Sequence, residues 1–440
     1  MNFFSSTLTT LAFRFTTILF GTVTGVITAR ALGPSGRGQL AVILSTISIA
    51  VMFGQLGLTE SNAYFVAGNR KLARPVAINS LWSALILGTL TIAIVSAVYY
   101  ISPEVFELIP YELLLTGLLA VPFLMLGMMI QRVYLAQNRI ILFNSYELTS
   151  KFLILGATVV VLSLLKLPLR EYLLVYAGVF AVSALTFFRL LGLDIKPGFK
   201  PDMGVFKQSI SYGFRAYIAV LLPFLLQRVG LFFVNAQSGA DQAGFYSVAM
   251  QANDLFLIVP GVIGVLLVPR VAANQKSSDL SVKTFKFTAV IMTPVFILAM
   301  IFTNEIVSIL FGGDYLPAVA PMRILFIGGY VIGIGSIILH DFSGRGFPMF
   351  TVLMWIPFNV INVLLNTFLV PSHAATGAAA SITITYGIAF LVIMIYFVRL
   401  VKLRSWSVFL LSRNDFRDLV RSLTSALSSL RTPKDGSGKA

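Results

Sequence analysis

The sequence predicts an all-α integral membrane protein of about twelve transmembrane helices arranged as two six-helix lobes, and three observations predict it. Of its 440 residues 57% are hydrophobic and only 11% charged, with a mean hydropathy of +0.90, more apolar surface than a soluble globular chain hides. A hydrocarbon core about 30 Å thick takes roughly 20 apolar residues per helix. Runs of that kind recur near 8–30, 40–66, 77–100, 112–136, 142–166, 172–193, 209–236, 243–268, 284–311, 319–342, 346–370 and 374–400. The longest polar interruption among them, Asp194 to Gln208, carries Pro197, Gly198 and Pro201 and divides the spans six and six. The organisation that follows is an N-terminal lobe over 1–193, a linker over 194–208, a C-terminal lobe over 209–400 and a basic tail over 401–440.

No cation precedes the first apolar run and Arg14 interrupts it, so it reads as a retained span and not as a cleaved signal peptide. Loop charges then orient the chain. With the N-terminus inside, Arg70, Lys71, Arg74, Arg132, Arg139, Lys196, Lys200, Lys207, Arg270, Lys276, Lys283 and Lys286 are cytoplasmic. The opposite loops hold Glu104, Glu107, Asp241, Glu305 and Asp314, with Arg30, Arg37, Lys166 and Arg170 as their cations. This asymmetry puts both termini in the cytoplasm and makes the net charge of +15 a matter of membrane orientation, with no nucleic-acid partner. In the tail, Phe416, Leu419, Val420, Leu423, Leu427 and Leu430 repeat at helical spacing beside Arg413, Arg417 and Arg421, the pattern of a helix lying on the membrane surface.

The residues with chemistry sit inside the spans. An arginine in a membrane span costs roughly 2.5 to 3.5 kcal/mol on insertion scales, so it needs a partner or a task. Phe13-Arg14 opens the first span and Phe214-Arg215 the seventh. Thr10, Arg14, Thr17, Gly21, Thr24, Gly25 and Thr28 share one face of the first helix. That face lines a wet cavity on one reading and serves close helix packing on the other. In the second span Ser48, Gln55 and Asn62 form a polar stripe beside Glu60, where interhelical bonding and substrate contact stand equal. Arg228 in the seventh span points roughly 140° away from Arg215 on a straight helix, so the two share a cavity only if Pro223 bends it. In the eighth span Ser247, Gln251, Asp254 and Gly261 share a face, with Asn253 alongside, and Asp254 is a candidate counter-ion for an arginine. Glu147 and Lys151 have the spacing of a helical ion pair, and Asn359, Asn362 and Asn366 that of interhelical hydrogen bonds.

Other chemistry is not supported. There is no G-x-x-x-x-G-K-[ST] phosphate loop to power ATP-driven transport. There are no cysteines, and His340 and His373 stand alone in separate loops, so neither a metal site nor a cofactor is expected. No long extracytoplasmic loop offers paired carboxylates or a nucleophile, so the protein reads as a non-enzyme.

The stretch Ala29-Arg30-Ala31-Leu32-Gly33-Pro34-Ser35-Gly36-Arg37-Gly38-Gln39-Leu40-Ala41 resembles the first-loop signature of polysaccharide repeat-unit (O-antigen/exopolysaccharide) flippases of the multidrug/oligosaccharidyl-lipid/polysaccharide exporter superfamily. Similar segments follow in order at Ala243 to Ala249, Leu310 to Tyr315, Asn362 to Asn366 and Gly377 to Ala380, so the likeness covers about residues 10 to 400. It implies two lobes related by a pseudo-two-fold axis around a central cavity. It also implies a bacterial cytoplasmic-membrane protein that moves an undecaprenyl-pyrophosphate-linked oligosaccharide from the inner to the outer leaflet, its polyprenyl tail in membrane lipid, with a polysaccharide polymerase and chain-length proteins as partners. The chain departs from the peptidoglycan-precursor branch in lacking two extra C-terminal spans.

On this reading Arg14, Arg215 and Arg228 meet the pyrophosphate, Gln55, Asn62, Gln251 and Asn253 face the sugars, and Asp254 and Glu60 act as counter-ions or couple an ion. Arg14 and Arg215 lie about 9 Å along their helices from the cytoplasmic end, where an inner-leaflet pyrophosphate arrives and where an arginine can equally snorkel to headgroups. A drug/cation antiporter of the same superfamily and a non-transporting partner in polysaccharide assembly remain as alternatives.

Overall fold

The computed structural model describes residues 3–107, 109–192, 199–273, 279–346 and 349–401, with the side chains of 3–11, 214–216 and 219 outside that description. The tail helix expected beyond residue 401 therefore lies outside the described residues. Within them the chain is helical throughout and has no strand. The helices are α1 (Phe3–Gly54), α2 (Leu58–Gly68), α3 (Ala73–Ile101), α4 (Tyr111–Leu118), α5 (Val121–Ala136), α6 (Ile140–Thr158), α7 (Leu169–Arg189), α8 (Met203–Phe256), α9 (Ile258–Ala273), α10 (Asp279–Ile301), α11 (Thr303–Leu310), α12 (Val319–Gly344), α13 (Met349–Leu353) and α14 (Trp355–Leu400).

Nine runs among the described residues are long and apolar enough to cross a membrane. Three of them, containing α1, α8 and α14, are each two rods joined at one non-helical residue, Gly33, Gly239 or Ala374. Divided there, the described residues give twelve long apolar rods, the number read from the hydrophobic runs, although the runs at 40–66 and 243–268 are themselves broken near Gln55 and Leu257. The expected loops at all three joints shrink to a single residue. Gly33 (φ 66°, ψ 179°) and Gly239 (φ 85°, ψ 175°) occupy a backbone region open essentially to glycine alone. Pro34 then sits at the start of the next rod, where its missing N–H costs no helical bond. At Pro223, by contrast, helical dihedrals continue, and the helix does not unwind there.

The chain divides into two compact units, residues 1–252, 303–324 and 352–382 in one and 253–302, 325–351 and 383–440 in the other. In the first unit α1 packs on α6, α5 on α3 and α7, and α2 on α5. Tyr134 and Tyr172 are fully buried there, and both hydroxyls find partners, Tyr134 on the Phe187 carbonyl and Tyr172 on Thr158 at 3.1 Å. The start of α8 is anchored to α3. Asn79 donates to the Asp202 carbonyl at 2.9 Å and accepts from its N–H at 2.8 Å, while Asp202 caps α8 by accepting from the Val205 N–H at 3.0 Å.

In the second unit α9 packs on α10. Asp341, fully buried on α12, receives a two-pronged ion pair from Arg345 and a hydrogen bond from Ser281. His340 lies within α12 against Gly264, and His373 within α14, so both histidines are helical and not in loops. Long apolar stretches continue through these positions, which is why the helix does too.

Candidate functional site

The Thr/Gly face of the first helix divides its labour along its length. At one end Arg14 is exposed and makes no ion pair or hydrogen bond among the described residues. At the other end the face packs. Gln251 of α8 lies across Gly25 so closely that a Cβ there would come within 2.1 Å of its amide. The Gln251 amide donates to the Thr22 carbonyl at 3.2 Å and its oxygen accepts from Arg37 at 3.0 Å, while Arg37 also donates to the buried Thr28 hydroxyl at 3.2 Å. Arg14 and the Gly33 joint are separated by about 28 Å at 1.5 Å per residue, close to the hydrocarbon thickness. Arg14 therefore lies about one hydrocarbon thickness along the helix from the joint beside Arg37.

Arg37 stands beside a backbone crossing. A Cβ at Gly38 would lie 1.8 Å from the Ala240 oxygen, and one at Gly244 would lie 2.1 Å from the Pro34 oxygen. The contact is reciprocal. The sequence offset that relates Gly33 to Gly239 also relates Pro34 to Ala240 and Gly38 to Gly244, so each repeat's glycine sits on the other repeat's first helical residue. A second crossing lies at the turn between α1 and α2. Gly57, at φ +79°, and Gly213 meet backbone to backbone, each Cβ position within 2.3 Å of the other's oxygen. Next to it Tyr64 stacks on Tyr212 with ring centres 4.1 Å apart.

The other expected site residues are distributed between packing and exposure. Gln55 is buried, accepts from Thr59, and turns its amide toward the Met52 sulfur at 3.3 Å. Asn62 is buried and donates across helices to Ser80 at 2.8 Å and to the Met129 carbonyl at 3.4 Å. Glu60 pairs with Arg132 at 3.5 Å, both side chains about a third exposed. Arg228 lies over the Phe224 ring, 5.6 Å from its centre, with a buried Nε that has no partner among the described residues. The Arg215 side chain lies outside the described residues. In the second unit Asn253 is buried against Gly329 with an unpartnered oxygen, and Asp254 is exposed. Asn359 does reach across to α8, donating to the Leu222 carbonyl at 2.9 Å, whereas Asn366 bonds Asn362 one turn back. Glu147 and Lys151 are both exposed and form no ion pair among the described residues.

Two arginines escape the sequence reading. Arg37, counted there as a loop cation, and Arg323, near the start of α12, each carry a buried Nε without a partner among the described residues. Arg323 had a usable signal, an arginine early in an apolar run, the same criterion that singles out Arg14. Among the carboxylates, Glu171 at the start of α7 has one buried oxygen without a partner. The Glu60–Arg132 pair is open to water, so Glu60→Gln is expected to change stability by less than about 1 kcal/mol. Thermal unfolding in detergent measures it, and a loss of several kcal/mol would contradict a solvated pair.

A family model for polysaccharide biosynthesis proteins matches residues 27–320. The chain belongs to this family. Among curated relatives, the uncharacterized membrane protein MJ1068 of Methanocaldococcus jannaschii is 27% identical over 209 residues, 44% of this chain and 40% of its own length. The amylovoran biosynthesis protein AmsL of Erwinia amylovora is 30% identical over 217 residues, 46% of this chain and 55% of its own. The matched segment is thus about half the length of these relatives. Among solved structures, the lipid II flippase MurJ in an inward closed conformation superposes with a TM-score of 0.72 at 15% identity, covering 98% of this chain and 94% of its own. An inward-facing multidrug resistance MATE family transporter of the MOP superfamily gives 0.67 at 14% identity, covering 88% and 96%. At such identities the likeness is one of fold. The chain is a multi-pass membrane protein with that fold.

Proposed function

We propose that this protein is a flippase for a polyprenyl-pyrophosphate-linked glycan, carrying it from the inner to the outer leaflet of a bacterial cytoplasmic membrane with both termini in the cytoplasm. The observation that carries this reading is the set of membrane arginines without carboxylates. Arg37, Arg228 and Arg323 each have a buried, unpartnered Nε, and Arg14 makes no ion pair among the described residues. Uncompensated guanidinium groups in an apolar protein suit an anionic ligand, and their planar fork matches phosphate oxygens two at a time. A carrier of organic cations needs the reverse, and its natural candidate here, Glu60, is already held by Arg132. Membership of a polysaccharide biosynthesis family supports the glycan.

Arg14 and Arg215 receive the pyrophosphate on the cytoplasmic side, and Arg228 lies further along the same helix. The polyprenyl tail stays in lipid, and a polymerase and chain-length proteins take the product. Arg14→Ala and Arg215→Ala are each expected to reduce surface glycan roughly ten- to a hundredfold, the loss of one charged hydrogen-bonding contact of about 1.5 to 3 kcal/mol, with protein level unchanged. Lipid-linked repeat units should accumulate on the cytoplasmic side, and Arg→Lys should restore transport only in part because the fork is lost. Normal surface glycan in both alanine variants would overturn the assignment.

A further inference from the structure

We propose that Arg37, with Thr28 and Gln251, is a second phosphate-binding site at the membrane face opposite Arg14, and that an oxyanion taking its guanidinium releases the Gly38–Gly244 crossing. The proposal rests on the anionic-substrate reading above. Arg37 is half-buried, and among the described residues its charge is met by two neutral oxygens, the Thr28 hydroxyl and the Gln251 amide. Its Nε is buried and unpartnered among the described residues, where the ionisable groups that flank it are the phenols of Tyr172 and Tyr315. Tyr315 donates to the Ala29 carbonyl at 2.9 Å, so its hydroxyl is already committed. Neutral acceptors compensate a desolvated guanidinium poorly, whereas a phosphate supplies opposite charge and two acceptors in the guanidinium plane. The resting contacts are therefore weaker than those an oxyanion brings.

The same contacts join the two rods that cross. Arg37 is the neighbour of Gly38, and Gln251 lies seven residues, or about two turns, beyond Gly244 on the same side of α8. When Arg37 turns to an anion, Gln251 keeps its single bond to the Thr22 carbonyl, and the side-chain bridge from the start of the second span to α8 is gone. The backbone contacts at Gly38 and Gly244 remain. Ligand arrival and parting of the rods become one event, because the group that recognises phosphate is the group that closes the joint.

The chain has no cysteine, so Ser247→Cys, a near-isosteric change at a buried residue one turn from Gly244, is a clean reporter of this joint. Full-length protein in zwitterionic nanodiscs is labelled with a maleimide, alone and with undecaprenyl pyrophosphate, inorganic pyrophosphate or phosphatidylglycerol, while binding is followed by native mass spectrometry. Labelling is expected to rise roughly tenfold with undecaprenyl pyrophosphate. In an Arg37→Gln background the rise should vanish, with Arg37→Lys partly restoring it. Gln251→Ala should label fast without ligand, which also serves if Arg37→Gln folds poorly. A response to inorganic pyrophosphate would show that phosphate alone suffices, and a response to the polyprenyl compound only would assign the ligand to the lipid-linked form. An equal response to phosphatidylglycerol would overturn the substrate assignment in favour of bulk headgroups. Binding by the parent with an unchanged response in Arg37→Gln would overturn this site while leaving the flippase reading intact. No binding of undecaprenyl pyrophosphate by the parent would instead sink the flippase reading.

Discussion

Gly38→Ala and Gly244→Ala are each expected to cost about 3 kcal/mol or more, at or beyond the upper end of ordinary overpacking. A methyl at Gly38 would sit 1.8 Å from the Ala240 oxygen and 2.9 Å from the Gly244 nitrogen, and one at Gly244 would sit 2.1 Å from the Pro34 oxygen. These are backbone atoms, so no rotamer change relieves the clash and the rods themselves must separate. Gly21→Ala is the control. Gly21 lies on the same first helix with nothing within 4 Å of its Cβ position, so alanine there should be neutral or stabilise by up to about 1 kcal/mol through helix propensity. The fraction of monodisperse protein after graded heating measures all three. Equal behaviour of Gly38→Ala and Gly21→Ala would show that the close crossing does not hold the fold.

The repeat behind this crossing was partly legible before any coordinates. The Phe13-Arg14 and Phe214-Arg215 pairs, 201 residues apart, and the likeness of Gly38 to Gly244, 206 apart, point to a duplicated plan without fixing its register. What could not be read was that the two glycines touch each other. Sequence periodicity describes one helix at a time, and a contact between distant rods leaves no period. The same limit explains Arg37. Falling between two apolar runs it looks like a loop cation, yet the helix resumes after one glycine and carries the side chain under Gln251.

The polar stripe of the second span shows the converse. Asn62 is an amide on a membrane helix, and only its partners Ser80 and the Met129 carbonyl distinguish a packing bond from an open ligand contact. Glu147 and Lys151 have the right spacing and the favourable order for a pair, but both are exposed and stay apart. Span count was legible because hydrocarbon thickness dictates run length. Side-chain partners were not, because helix rotation about its own axis is decided by neighbours.

Arg345→Ala is expected to cost 3 to 5 kcal/mol, roughly the penalty for stranding a buried charge. Asp341 has no exposed surface, and Arg345 grips it with Nε at 2.6 Å and Nη2 at 3.2 Å. With the guanidinium gone, the Ser281 hydroxyl remains to meet a full carboxylate charge inside the unit. The instructive comparison is the double variant Asp341→Asn/Arg345→Met. It removes both charges, keeps an acceptor for Ser281 and retains apolar bulk, so it should be substantially more stable than Arg345→Ala alone, because a buried ion pair contributes less than its breakage costs. Thermal unfolding of the three proteins beside Glu60→Gln separates two effects that ion-pair counting merges. The solvated Glu60–Arg132 contact can be lost cheaply, while the buried contact cannot be halved. If Arg345→Ala were no worse than Glu60→Gln, burial would not be what makes this pair matter, and Asp341 would have to find its compensation in another group.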